Sequence, residues 1–191
     1  MDKIRTFIAI ELPPDVKATL ADLHTNLSAG KDASAKWVNP NSIHLTLKFL
    51  GNINPEAIPQ ITDAMTKSAK NVKPFSLQLN EIGAFPNARS PRVVWVGLKG
   101  DTEILSELQK HLERSLDAVG FPPENRAFSP HLTLGRVHNG IRSNQRQALS
   151  ERLSTAKLKA KQTFHINSIE LMKSELTPKG AIYTKLAAVN L

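Results

Sequence analysis

The chain contains no cysteine, which removes disulfide staples, thiolate zinc sites and thiol nucleophiles from consideration. Long apolar runs are also missing, since no stretch approaches the ~18 residues that a membrane-spanning helix needs. The apolar segment inside the opening MDKIRTFIAIELPPD is short, and no small-residue cleavage site follows it. These absences lead to the expectation of a soluble, cytoplasmic protein with no membrane partner. Acidic side chains are outnumbered: 17 Asp and Glu stand against 25 Lys and Arg, for a net charge of +8 and a pI of about 9.8. Such a surface attracts polyanions, nucleic acid being the commonest. The charge is spread along the chain without a basic tail, so by itself it is a weak pointer. There is no G-x-x-x-x-G-K-[ST] loop, because Gly30-Lys31-Asp32 lacks both the leading spacing and the hydroxyl residue. An ATP-dependent ligase or kinase is thereby disfavoured.

What is present suits one ordinary domain or two small lobes. Of 191 residues, 40% are hydrophobic and 22% charged, and a chain of this length buries roughly 70% of its unfolded surface. Strand and helix patterns alternate. Residues 4–11 are β-branched and aromatic and stop at Pro13-Pro14; Val16, Leu20, Leu23 and Leu27 then recur at helical spacing over 14–28. A polar stretch at Ser28–Ser34 leads to Trp37-Val38, a strand over 43–51, a helix over 55–70 and a strand over 73–83. Residues 83–91 read as a loop rich in Gly, Pro and Asn. The order then repeats: a strand at 93–98, a helix at 101–119 carrying Ile104, Leu105, Leu108, Leu112 and Leu116, and a strand at 130–137. A helix near 141–157, a strand at 162–172 and a last strand near 180–187 complete it.

Internal duplication explains this order, with sequence halves of about 1–88 and 89–191 in one compact unit and no visible linker. Ala9 lies 35 residues before His44 and Trp95 lies 36 before His131, while Phe75 follows His44 by 31 and Phe164 follows His131 by 33. The tetrapeptide HLTL at 44–47 recurs unchanged at 131–134. Alternation in a strand puts His44 with Thr46, and His131 with Thr133, on one face, and turns Leu45, Leu47, Leu132 and Leu134 toward a core. Core packing accounts for the leucines but not for the polar residues between them. Lys48 falls on the face of His44 if the strand runs on, and a bulge at Gly135 would re-aim Arg136 toward the same cleft.

Two histidines facing one another can run acid–base chemistry near neutral pH. Opening a cyclic phosphodiester needs a base for the attacking water and an acid for the departing ribose oxygen. Thr46 and Thr133 can donate hydrogen bonds to phosphoryl oxygens, and Lys48, Arg126 and Arg136 can offset the charge that builds there. No metal or cofactor is expected. His24 and His111 read as surface or packing residues of helices, and His138 with His165 forms no H-x-H, H-D or H-E-x-x-H grouping. Among the aromatics, Phe85 in its loop and Tyr183 are candidates for base stacking; for Trp37 and Phe128 a core position is at least as good a reading.

With these residues in view, the sequence resembles the two-histidine phosphoesterase superfamily, and within it the RNA 2′,3′-cyclic phosphodiesterases once named 2′-5′ RNA ligases. RTFIAIELP, WVNPNSIHLTLKFLGNI, FSPHLTLGR and SELTPKGAIYTKL carry the resemblance over nearly the whole chain. It implies a bilobal α+β fold with a pseudo-twofold axis, each lobe a largely antiparallel sheet with helices on its outer face and a central cleft between. It also implies that RNA ends bearing 2′,3′-cyclic phosphate are hydrolysed to 2′-phosphomonoesters; tRNA halves, small-RNA ends and free cyclic nucleotides stay open as the substrate. By the family pattern His44 is the proton donor and His131 the proton acceptor; the symmetry of the sequence does not assign those roles. A monomer is expected. Joining of RNA ends by the reverse reaction, cleavage of 2′-5′ linkages, and a non-catalytic RNA-binding module are the alternatives.

Overall fold

A computed structural model describes residues 2–28, 34–178 and 180–191; most of the polar stretch at 28–34, including Gly30-Lys31-Asp32, lies outside them. The first half supplies β1 (Ile4–Glu11), α1 (Pro14–Ser28), β2 (Ala35–Trp37), β3 (His44–Ile53), α2 (Ile58–Ala69) and β4 (Phe75–Phe85). The second supplies β5 (Val93–Gly100), α3 (Thr102–Asp117), β6 (His131–Val137), α4 (Ser143–Thr155), β7 (Thr163–Ile166), β8 (Ser168–Thr177) and β9 (Gly180–Asn190). No described helix is long and apolar enough to cross a membrane.

The strands form two antiparallel sheets, ordered β3-β1-β8-β9 and β2-β6-β5-β4-β7. The two HLTL strands pair alike with their neighbours. Ala9 sits opposite Thr46 in one sheet and Trp95 opposite Thr133 in the other. The sequence halves are nevertheless not the sheets. β4 leaves the first half to pair with β5, and β8 leaves the second to pair with β1. β2 likewise crosses to β6. Phe75 and Phe164 are therefore not equivalent points of two lobes; they lie on β4 and β7, neighbours in one sheet.

The same exchange splits the strand expected at 162–172. β7 pairs with β4 and β8 with β1, so the chain changes sheets at Asn167. β4 runs on to Phe85, which puts Phe85 on a strand end and not in a loop. The helix expected from 55 opens with a single 3-10 turn, Pro55–Ala57, and becomes α-helical at Ile58.

One continuous core takes the leucines of both tetrapeptides, all 3% exposed or less, with the stripes of α1 (Val16, Leu20, Leu23, Leu27) and α3 (Leu105, Leu108, Leu112, Leu116). Burying each such side chain contributes about 1.5–3 kcal/mol. Ile104 is the exception on α3, 41% exposed one position off the stripe. A second, smaller cluster of Phe7, Ala9 and Met172, with Tyr183 against it, covers the opposite face of β1 and β8.

Candidate active site

Both His-Thr strands carry the same irregularity at the same place. Along β3 the pair Ala9–Thr46 is followed by Ile8–Lys48, and along β6 the pair Trp95–Thr133 is followed by Val94–Gly135. Leu47 and Leu134 are thus extra residues of two equivalent bulges, which reverse the alternation of whatever follows. Up to the bulge, His44 with Thr46 and His131 with Thr133 share faces as expected, each half-buried.

Past the bulge the alternation changes sense, and this corrects the expectation for Lys48. Leu47 and Lys48 are both buried; the ammonium, 2% exposed, pairs with Glu113 of α3 and donates to the Pro122 carbonyl at 2.8 Å. Lys48 therefore ties β3 to the helical layer and is not on the substrate side. In β6 the same shift buries Gly135 and brings Arg136 out onto the face of His131 and Thr133. Gly135 is required there, since a Cβ would stand 2.8 Å from the Trp37 ring. The position equivalent to Arg136 in the other sheet is Phe49, 55% exposed, its ring 6.2 Å from Phe7.

The histidines are held alike. His44 Nδ1 lies 2.9 Å from the Ser42 carbonyl and His131 Nδ1 lies 2.7 Å from the Ser129 carbonyl, each two residues upstream. A proton on Nδ1 donates to that oxygen and leaves Nε2 for chemistry. Their surroundings differ. His44 stacks on Phe7 at 4.6 Å and meets the edge of Tyr183 at 5.0 Å. His131 meets Phe85 edge-on at 5.1 Å, and Phe85 in turn lies 5.1 Å from Trp95. Trp95 lies flat over Gly83, where an added Cβ would come within 2.3 Å of the ring.

Burial pushes the His44 pKa down; its Ser42 hydrogen bond opposes this, Lys17 adds to the lowering, and Glu11 opposes it. Burial raises Tyr183, against the pull of Arg5 and Arg136. That Arg136, from the other sheet, acts on Tyr183 reflects how near the two faces come. Cα atoms of β3 and β6 approach within 8 Å. Beside them opens a groove of about 1180 Å³, walled by Glu11, His44 and Tyr183 from one sheet and Lys36, Trp37 and Arg136 from the other, with Lys17 and His24 of α1.

Of the residues predicted from sequence, His44, Arg136 and Tyr183 line this groove. His131, Thr46, Thr133 and Phe85 belong to the two facing sheet surfaces outside its lining. Arg126 is exposed in the loop between α3 and β6 and is not among the residues lining the groove. Phe7, Trp95, Lys17 and Lys36 are not among the residues expected from sequence; Trp37, for which a core position and base stacking were both open, packs against the core and also walls the groove. His24 packs edge-on against Trp37 at 5.7 Å, and burial lowers its pKa. His165 bonds Ser76 Oγ. Among the described residues no three His, Asp or Glu side chains gather into a metal-holding group.

Comparison with known proteins agrees with this geometry. The model of LigT-like phosphoesterases matches twice, over residues 10–95 and 96–183. The RNA 2′,3′-cyclic phosphodiesterase of Methanothermobacter thermautotrophicus is 33% identical over 99% of this chain and 100% of its own length. That of Aquifex aeolicus is 36% identical over 78% of each. Among solved structures, TT0787 of Thermus thermophilus superposes with a TM-score of 0.77 at 28% identity over 98% of both chains. Escherichia coli LigT complexed with 3′-AMP reaches 0.78 at 24% identity, over 100% of this chain and 99% of that one, a likeness of fold. With both halves matched by one family model and relatives above 30% identity along nearly the full length, the chain belongs to the LigT-like phosphoesterase family.

Proposed function

We propose that this protein hydrolyses 2′,3′-cyclic phosphate ends of RNA to 2′-phosphomonoesters by paired histidine catalysis. The observation that carries the reading is the repeated holding of two imidazoles. Each hangs from the first residue of a bulged strand, each is fixed through Nδ1 by the carbonyl two residues back, and the two strands approach one another. The relatives' names supply the substrate class.

In the reaction, water attacks phosphorus while His131 Nε2 takes its proton. The P–O3′ bond breaks as His44 gives a proton to the departing ribose oxygen. His131 ends protonated and His44 neutral, and exchange with solvent resets both. The donor and acceptor roles follow the family pattern. Thr46 and Thr133 donate to the phosphoryl oxygens and Arg136 offsets their charge, so no step requires a metal. Lys17, Lys36 and Arg136 outnumber Glu11 around the groove, which suits a polyanion.

The test is product analysis of an RNA oligonucleotide ending in 2′,3′-cyclic phosphate, in EDTA, beside a 2′-5′-linked oligomer. A 2′-phosphate end from the first is expected, with a bell-shaped pH–rate profile. An untouched cyclic end beside a cleaved 2′-5′ linkage would give the activity to 2′-5′ phosphodiester cleavage. Joined RNA in place of a phosphomonoester would give it to ligation, an RNA hydroxyl then replacing water.

A further inference from the structure

A second concave site lies at the far end of the β5–β6 pair. Three segments converge there: the β4–β5 connection with Ser90, Pro91 and Arg92, the turn after β6 with His138, Asn139 and Gly140, and α4 with Arg146. They line an open cavity of about 260 Å³, room for a phosphate group with its hydration. Among the described residues no carboxylate lines it. Among the described residues neither Arg92 nor Arg146 has an acidic partner; Arg146 only reaches Ser90 Oγ, at 3.4 Å. The backbone N–H groups of Arg92, Val137 and His138 are already spent on Phe85, Arg92 and Ser34 carbonyls, so the side chains, with the Asn139–Gly140 turn, are what the cavity offers. Two guanidinium forks with imidazole, hydroxyl and amide donors form a set that recognises phosphate oxygens.

We propose that Arg92, Arg146 and His138 form a phosphate-binding site separate from the histidine pair. His131 opens β6 and Val137 closes it, six steps of about 3.3 Å, so the site lies roughly 20 Å from His131. A cyclic mononucleotide seated at the histidines does not span that distance. Arg136 stands between, on the cleft face. If the proposed activity holds, on which this part rests, the occupant is a backbone phosphate of an RNA whose cyclic end is in the cleft. A free phosphate ion is the other source of the same chemistry.

The experiment compares the wild type with the double variant R92Q/R146Q in two assays. Inorganic phosphate is titrated while the amide resonances of Asn139 and Gly140 are followed. In parallel, kcat/KM is measured on a cyclic-ended oligonucleotide and on a 2′,3′-cyclic mononucleotide across salt concentrations. Saturable phosphate shifts at those amides are expected in the wild type and lost in the variant. The oligonucleotide kcat/KM should fall about tenfold with a salt slope shallower by about 0.7, and the mononucleotide value should not change. Loss of phosphate shifts with an unchanged oligonucleotide rate keeps the site and assigns it to free phosphate. If the wild type turns over neither substrate yet binds phosphate there, the activity falls and the site stands. Absence of phosphate shifts, or an equal fall on both substrates, overturns the proposal.

Discussion

His44 and His131 are one residue type in two unlike settings, and that difference has measurable consequences. His44 lies under Phe7 and Tyr183, where burial favours its neutral form. A bound phosphodiester or phosphate brings negative charge to the imidazole and favours the protonated form. An NMR titration of the His44 ring should therefore give a midpoint below the usual histidine value of about 6.5 in the free protein. It should rise when a nucleoside 2′-phosphate is added; a midpoint that does not move on binding would remove His44 from the phosphate. The same lowering bears on stability. The folded value lies below the unfolded one, so the unfolded chain holds more protons in that interval. Stability is complete above about pH 6.5 and declines as pH falls through the interval, and His24 acts in the same direction.

At the level of strands, much of the site was legible in the sequence because alternation up to the bulge is rigid geometry. The identical tetrapeptides gave the shared faces of His and Thr and the four buried leucines. Gly135 signalled the bulge that turns Arg136 to the cleft. The matching bulge at Leu47 was equally implied by the repeat, but nothing in LTLKF marks it locally, since Lys48 occupies the place of Gly135. Lys48 therefore serves packing. Replacing it with Met leaves Glu113, 13% exposed, without its cation, and should cost about 3 kcal/mol in urea unfolding. The turnover of folded protein should stay within a few-fold. A loss of kcat by orders of magnitude at full stability would return Lys48 to the substrate. Trp95 over Gly83 was not legible, because it depends on which strand lies beside β5.

For the molecule as a whole, strand exchange is what the sequence repeat does not announce. A duplication shows which segments are equivalent, not which sheet each one joins. Long-range pairing decides that, and β4 and β8 each leave their own half. Fragments 1–88 and 89–191 each lack strands of the sheet they begin, so neither should show a cooperative unfolding transition alone, whereas the intact chain should unfold in one step. An independently folded half would refute this. Cα atoms of the two histidine-bearing strands, one in each sheet, come within 8 Å of each other, and in the proposed reaction one imidazole from each serves a single phosphorus atom. The most direct test is turnover of cyclic-ended RNA by His44→Ala and His131→Ala, each with RNA affinity and melting temperature measured alongside. Each variant should lose at least 10²-fold in kcat while binding and stability stay near those of the wild type; a variant that keeps wild-type turnover without one of the two rings would contradict the account.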